Sequence, residues 1–480
     1  MRAQRRREES RRPLWLSLRA AGQKLKSRVN KASLLMTRFW NDLPSQPLAR
    51  WAAAAFTFSI WSLVISIAVN QIFLGLAGVL YAAHLLAEKP GRIIFPPIKL
   101  PLMLYVLATV ISTLFAENPA AGGFEIRKMS LLLLLLFTPS LVVTLNHRRR
   151  LLEGLFAAAS LAALVSVWQF VRQYRAARAT HALPMYQAMT FTRITGFMGH
   201  WMNFGGQQMQ VFLLLLAFLL LARAGGGMAA AGGPGSPAAD SQNAIRVGAE
   251  GWLARAGWGA LLLMGVSLGL NFTRGVWLGV LAGAVHLVSR WRARWLLALP
   301  VLLAILFLAS PALLRKRLES FLHPTADPSI AIRYEMWHAG LNMMRRHPLT
   351  GVGPNNIYEV YPLYVPHGRA LQLGYHEHLH NDVIQLGAER GLPCLAAWLW
   401  MMGALGWQFW KRARAGGGSA WVADGAFAVW LAFMLEGCFE FNFGSSPVLM
   451  VFLFVAGLPF AALDGAVERQ EARPAVDASR

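Results

Sequence analysis

Charge, and negative charge above all, is scarce in this chain. Its 480 residues hold 23 Asp and Glu against 46 Lys and Arg, and charged side chains make up only 14% of the total beside 56% hydrophobic ones. So little charge cannot coat a water-facing surface, and with a mean hydropathy of +0.42 an ordinary soluble globule is excluded. Cysteine is nearly absent: Cys394 and Cys438 both fall in apolar stretches and read as small buried hydrophobes, so neither a disulfide nor a CxxC metal site is expected. No short apolar core with a small-residue cleavage site follows the basic N-terminus, and Arg11-Arg12 lacks a twin-arginine context, so a removable signal peptide is not expected. Internal repeats and coiled-coil heptads are also missing. A pI near 11.1 would suit nucleic acid. The cations cluster between apolar runs, however, which membrane topology explains directly, and no nucleic-acid partner is expected.

What the chain has in quantity is apolar runs bounded by charge, Gly or Pro. Twelve are candidates for membrane crossing: 51–70, 71–86, 100–115, 131–145, 151–171, 209–222, 257–270, 275–288, 295–309, 392–410, 421–438 and 447–463. The stretch 51–86 is too long for one crossing at about 1.5 Å per residue, so it is divided at the polar pair Asn70-Gln71. Lys and Arg in short loops mark the inner side. Arg148-Arg149-Arg150, then Arg290, Arg292 and Arg294, then Lys411, Arg412 and Arg414 all follow even-numbered runs. Twelve crossings with both ends inside satisfy all three clusters. The expected organisation is a basic inner segment at 1–50, helices 1–9 over 51–310, a large outer loop at 311–391, helices 10–12 over 392–463, and an inner tail at 464–480. The Gly/Ala/Pro/Ser-rich stretch 225–239 then falls inside and reads as a flexible linker.

The same parity puts 172–208 and 311–391 outside. The second is too long for a connector and holds His323, His338, His347, His367, His376, His378 and His380, seven of the chain's twelve histidines. Arg193, Arg274 and Arg333 stand at the outer ends of runs. Arg274 is the most informative, because it interrupts apolar sequence with almost no loop around it, and an ionisable group near membrane depth is costly. A guanidinium suits bidentate phosphate binding; the alternative is an arginine that snorkels to a headgroup or closes a helix hairpin by pairing with a carboxylate. In Tyr375-His376-Glu377-His378-Leu379-His380-Asn381-Asp382, Asn381 or Asp382 can cap a helix whose positive end would favour a phosphate beside His380. His380 can then serve as a general base on a hydroxyl. Zinc binding by the alternating histidines and a purely structural role are the alternatives. The turn-rich His347-Pro348-Leu349-Thr350-Gly351-Val352-Gly353-Pro354 has glycines able to approach a ligand closely. Glu117 and Glu125 lie in the short outer loop after the third run; they could serve as a base or metal ligands, but with no paired-carboxylate motif a solvated-loop role is the expectation.

These residues resemble the O-antigen ligase and polymerase superfamily of bacterial envelope glycan enzymes. The resemblance rests on Thr273-Arg274-Gly275-Val276-Trp277-Leu278, on Arg333 with Trp337, on His347-Pro348-Leu349-Thr350-Gly351-Val352-Gly353, and on His378-Leu379-His380-Asn381 followed by Glu389-Arg390-Gly391-Leu392-Pro393. It covers roughly 191–463; the first third matches only in hydropathy. It implies an all-α, GT-C-like integral membrane protein of about twelve transmembrane helices in the bacterial inner membrane, with a large periplasmic loop and the site facing the periplasm. The implied activity is metal-independent, inverting transfer of a glycan from an undecaprenyl diphosphate carrier, with no cofactor. By matching position, Arg193 and Arg274 would bind the diphosphate and His380 would activate the acceptor hydroxyl, with Arg333, His378 and Asn381 in the substrate pocket. His378 remains the alternative base. An O-antigen ligase acting on a lipid A-core sugar is the first expectation, ahead of a polymerase or a protein O-oligosaccharyltransferase. A membrane transporter is the alternative of another class.

Overall fold

A computed structural model of the chain describes residues 37, 39–88, 93–181, 183–222, 252–319, 328–365 and 377–461. Most of the basic N-terminal segment, the 225–239 linker, His323, His367, His376 and the 464–480 tail lie outside the described residues. Among those described, secondary structure is entirely helical. In chain order the α-helices are α1 Pro47–Ser62, α2 Ile67–Ala87, α3 Lys99–Leu114, α4 Pro119–Lys128, α5 Leu134–Leu141, α6 Leu145–Thr180, α7 Met185–Phe191, α8 Trp201–Ala217 and α9 Trp252–Leu270. They continue as α10 Arg274–Arg292, α11 Leu299–Ala309, α12 Ala312–Glu319, α13 Pro328–Arg346, α14 Ile357–Val360, α15 Asp382–Ala415, α16 Ala420–Gly437 and α17 Ser446–Gly457.

Five helical stretches are long and apolar enough to cross a membrane: Ile67–Ala87, Leu145–Thr180, Trp201–Ala222, Arg274–Ala309 and Ala420–Gly437. Shorter apolar helices run over Lys99–Leu114, Ala256–Leu270 and Ser446–Phe460. In a membrane every backbone polar group must be satisfied within the segment, which is why such sequences fold as helices. The protein is therefore a multi-pass membrane protein, all-helical among the described residues. Helices α8, α16 and α17 form its centre, and every residue of α17 from Pro447 to Gly457 is buried. Helix α11 instead turns Val301, Leu302, Leu303, Ile305 and Leu308 outward, as a helix bathed in hydrocarbon does.

Small residues let the central helices meet. Gly275, Gly279 and Gly283 recur every fourth residue along α10. A Cβ on Gly279 would lie 3.0 Å from the Ala432 carbonyl, and one on Gly283 would lie 3.0 Å from the Ala428 carbonyl. Glycine on α10 and alanine on α16 thus bring two backbones together, the usual means of joining helices in lipid. The last member of the stripe, Gly275, faces Glu436 and Phe439 at 3.4 and 3.7 Å. Arg274 is thereby delivered to the C-terminal end of α16.

Several boundaries differ from the sequence expectation. The break in 51–86 falls between Ser62 and Ile67, where Ser66 caps α2 by accepting from the Val69 amide at 3.4 Å. Asn70 lies inside α2, wholly buried, with its amide donating to Ser59 O and Oγ, each at 2.9 Å. A polar side chain that the neighbouring helix satisfies does not mark a loop. The run 131–145 divides into a 3-10 turn over Met129–Leu133 and the eight-residue α5, with Pro139 inside it. The runs 275–288 and 295–309 are joined through a 3-10 segment, Ala293–Ala298, with no long loop, and the path bends at Arg292, whose φ of −158° and ψ of 92° are extended. Helix α6 continues to Thr180, so its roughly 54 Å length exceeds the ~30 Å apolar thickness of a bilayer and its arginine-bearing end projects beyond it.

The expected outer loop 311–391 is itself helical where described. It contributes α12, α13, α14 and the first turns of α15, with a small core of its own built from Met336, Ala339, Met343, Ile357, Tyr361 and Leu379. Gly351 and Gly391 dock it onto the helical body. Added Cβ atoms would lie 2.3 Å from the Glu389 carbonyl carbon and 2.3 Å from Leu349 O respectively, both at positive φ. Three backbone bonds complete the seam: Val352 N to Ala388 O at 2.9 Å, Gly353 N to Glu389 O at 2.9 Å and Leu392 N to Pro348 O at 2.7 Å. Protein atoms fill the space that the glycines of 347–354 leave open, the Glu389-Arg390 backbone at Gly351 and Ala116 with Asn356 at Gly353, so their close approach is to the chain itself.

Candidate active site

The centre of the candidate site is a residue that the sequence reading did not select. Glu440 lies in the short connection between α16 and α17 and is 4% exposed. One of its carboxylate oxygens pairs with the Arg333 guanidinium from α13. The other meets His380 Nδ1 at 2.7 Å. An ionised carboxylate only accepts hydrogen bonds, so Nδ1 is the protonated nitrogen and the lone pair of a neutral His380 is left on Nε2. Burial pushes the Glu440 carboxyl up, but the Arg333 charge, the His380 hydrogen bond and charge, and the Arg193 charge together outweigh it and hold the pKa below the ordinary range.

Local sequence explains how each partner reaches this point. His380 adopts φ +48°, a left-handed conformation that costs a non-glycine residue about 1–2 kcal/mol and that turns the chain sharply into α15. Asn381 caps that helix by accepting from the Ile384 amide at 3.0 Å, and its own amide donates to Cys438 O at 2.9 Å. Asp382 accepts from the Phe443 amide at 3.0 Å; burial holds its carboxyl well above the ordinary range. The start of α15 is therefore bolted to the connection that carries Glu440. His378 is exposed, with its ring 5.4 Å from that of Phe441.

Arg193 enters from the segment after α7. Its Nε donates to Thr190 O at 3.0 Å, and its guanidinium carbon sits 5.1 Å from the Trp201 ring centre. Burial first, and then the like charge of Arg317, push its pKa down to about 10. His200, which caps α8 and accepts from the Met202 amide at 3.3 Å, stacks beside Trp201. Burial lowers its pKa too, with Glu440, Arg193 and His380 as its charged neighbours. Arg193, Arg333 and His380, all expected from sequence, thus meet around Glu440, and Arg274 opens α10 beside Glu436 and Phe439. Glu440, His200 and Arg317 were missed. Glu440 sits in an aromatic-rich turn, Cys438-Phe439-Glu440-Phe441-Asn442-Phe443, and a carboxylate between aromatics was the available signal.

A second buried network lies behind the site. Arg390 Nη2 donates to Glu125 at 2.9 Å, and its Nη1 reaches the Tyr105 hydroxyl. Lys128 Nζ holds the other Glu125 oxygen at 2.6 Å and Gly444 O at 3.1 Å. Glu389 accepts from the Asn355 amide at 3.0 Å and from Gln385 at 2.9 Å. Glu125 is therefore a buried structural anion, not a solvated loop residue; the arginine that buries it lies 265 positions away. Cys438 also departs from expectation: Cys394 is buried but Cys438 is exposed, because it caps the C-terminal end of α16.

Residues 259–399 match the model of a family described as O-antigen ligase. The match supports the resemblance of this segment to the O-antigen ligase and polymerase superfamily. No curated protein matches it. Enzymes of this superfamily are glycosyltransferase-like and act on lipid-linked glycans. The matched segment contains Arg274, Arg317, Arg333, His378, His380 and Asn381; Arg193, His200 and Glu440 lie outside it and join the superfamily segment only through the fold.

Proposed function

We propose that this protein is an O-antigen ligase, transferring a glycan from undecaprenyl diphosphate to a sugar hydroxyl of the lipid A core at the periplasmic face of the inner membrane. The observation that carries this reading is the convergence of Arg193, Arg333 and His380 on Glu440, with Arg274 beginning α10 alongside. Arg193 and Arg274 bind the diphosphate. As the bond from the anomeric carbon to the diphosphate oxygen breaks, negative charge develops on that oxygen, and fixed guanidinium groups stabilise it, the role that a metal fills in other transferases. His380 Nε2 removes the proton of the acceptor hydroxyl while Glu440 holds Nδ1–H and stabilises the imidazolium that forms. Arg333, His378 and Asn381 border the acceptor side. Attack from the face opposite the leaving group inverts the anomeric centre.

The reading extends to topology. Twelve crossings in a GT-C-like arrangement, with both ends cytoplasmic, put the 311–391 segment and the Glu440 turn in the periplasm. The three arginine clusters on the opposite side support this.

The deciding experiment offers three acceptors in parallel to the purified full chain with an undecaprenyl-diphosphate-linked glycan: core lipid, a second carrier-linked repeat, and a pilin-like protein. Transfer to core lipid is expected; transfer only to the carrier-linked repeat or to protein makes the chain a polymerase or an O-oligosaccharyltransferase. Arg274→Ala and His380→Ala, at unchanged membrane levels, are each expected to abolish transfer, and full activity in both would remove the chemistry. Transfer is expected to persist in strong chelator.

A further inference from the structure

Phe272 is an unusual residue two positions before Arg274. It adopts φ +56°, a conformation that a bulky aromatic takes only when its surroundings over-determine it. Its ring is buried and stacks on Phe170 with centroids 6.3 Å apart. Its carbonyl accepts from Nε of Arg317, a residue only 8% exposed, at 3.1 Å. On either side, Asn271 donates to Trp201 O at 3.1 Å and Thr273 Oγ1 to Asn271 O at 3.4 Å. The left-handed turn is thus held from α12 through Arg317 and from the start of α8 through Asn271, and α10 with Arg274 begins directly after it.

Arg317 thus joins the turn before Arg274 to α12, and its like charge is also felt by Arg193. We propose that Arg317 is a positioning residue for diphosphate binding: it clamps the Phe272 turn and so fixes the start of α10 from which Arg274 reaches the lipid-linked diphosphate. This inference rests on the diphosphate reading above. It assigns no bond-making role to Arg317, whose Nε is committed to the carbonyl.

The test measures binding without transfer. The full chain in detergent is titrated with undecaprenyl diphosphate, comparing wild type, Arg317→Met, Arg317→Gln, Arg274→Ala and the double variant Arg317→Met/Phe272→Gly. Arg317→Met is expected to weaken binding about tenfold, the worth of one charge-assisted hydrogen bond, and to raise the donor KM while leaving the acceptor KM unchanged. Arg317→Gln keeps a donor for the carbonyl and is expected to recover part of the loss. The double variant is the sharpest arm, because glycine takes positive φ without a clamp and should restore affinity that Arg317→Met has lost, which a role confined to general stability would not do. Wild-type affinity in Arg317→Met beside weakened Arg274→Ala overturns this inference alone, as does a double variant no better than Arg317→Met. Wild-type affinity in Arg274→Ala overturns the diphosphate reading as well. Should Arg317→Met fail to accumulate, Arg317→Gln against Arg317→Gln/Phe272→Gly gives the same comparison.

Discussion

Glu440 holds one arginine and one histidine with a single carboxylate. Because its pKa in the folded chain lies below the ordinary 4.5, the native form binds fewer protons there than the unfolded chain. Its contribution to stability is therefore full above pH 4.5 and is lost as the pH falls through the lower native value. Glu440→Gln is expected to cost about 2 kcal/mol at neutral pH, with the difference from wild type shrinking in acid; thermal unfolding followed from pH 3 to 7 measures both. The same variant is expected to slow transfer by about 10²-fold, since it removes the group that orients and charges the general base. At this scale much of the site was legible. An arginine interrupting apolar sequence and a histidine ahead of a helix cap announce themselves by cost and by local pattern. Glu440 and Glu125 do not, because a carboxylate's role depends on which cation the fold brings to it. Arg333 lies 107 positions from Glu440 and Arg390 lies 265 from Glu125.

The decisive element is α15, in which Gly391 separates an outer amphipathic turn from the apolar span. Its φ of 78° and ψ of 170° belong to a region essentially reserved for glycine, and Leu349 O occupies the space a Cβ would need. Gly391→Ala is expected to destabilise the protein by at least about 2 kcal/mol and to loosen the seam between the outer segment and the helical body. Faster limited proteolysis within 347–365 would register that loosening, and an unchanged cleavage rate would contradict it. The breaker at Gly391-Leu392-Pro393 is legible in the sequence, whereas the close approach of the Gly351 loop to the backbone of α15 is not. Both glycines serve one backbone-to-backbone contact, and a contact between segments 40 residues apart leaves no local periodicity to read. Helix boundaries fared unevenly for a related reason: Asn70 looks like punctuation until Ser59 on the preceding helix satisfies it.

For the whole molecule, native cysteine offers a direct test of sidedness. Cys438 is exposed and its carbonyl is held by Asn381 of the candidate site, while the chain's other cysteine, Cys394, is buried. A membrane-impermeant maleimide applied to cells whose outer membrane alone is opened is expected to label the wild-type protein, and Cys438→Ser is expected to abolish that signal. Labelling only after the inner membrane is breached would place the site on the cytosolic side. Composition and run length were enough to read the molecule as a helical membrane protein. The number of crossings is harder to read, because run length does not distinguish a helix bent at Arg292 from two separate crossings.

The depth of Glu440 has a bearing on how the centre responds to ionic strength. Mobile ions screen exposed charges beyond roughly 8 Å at physiological salt but penetrate poorly among buried ones. An anion held only at the protein's rim would be shed as salt rises, whereas the carboxylate stays associated with the Arg333 guanidinium and the His380 ring. Raising salt should therefore leave the resting arrangement of Arg333 and His380 largely unchanged and act chiefly on the approach of a charged donor across the membrane surface.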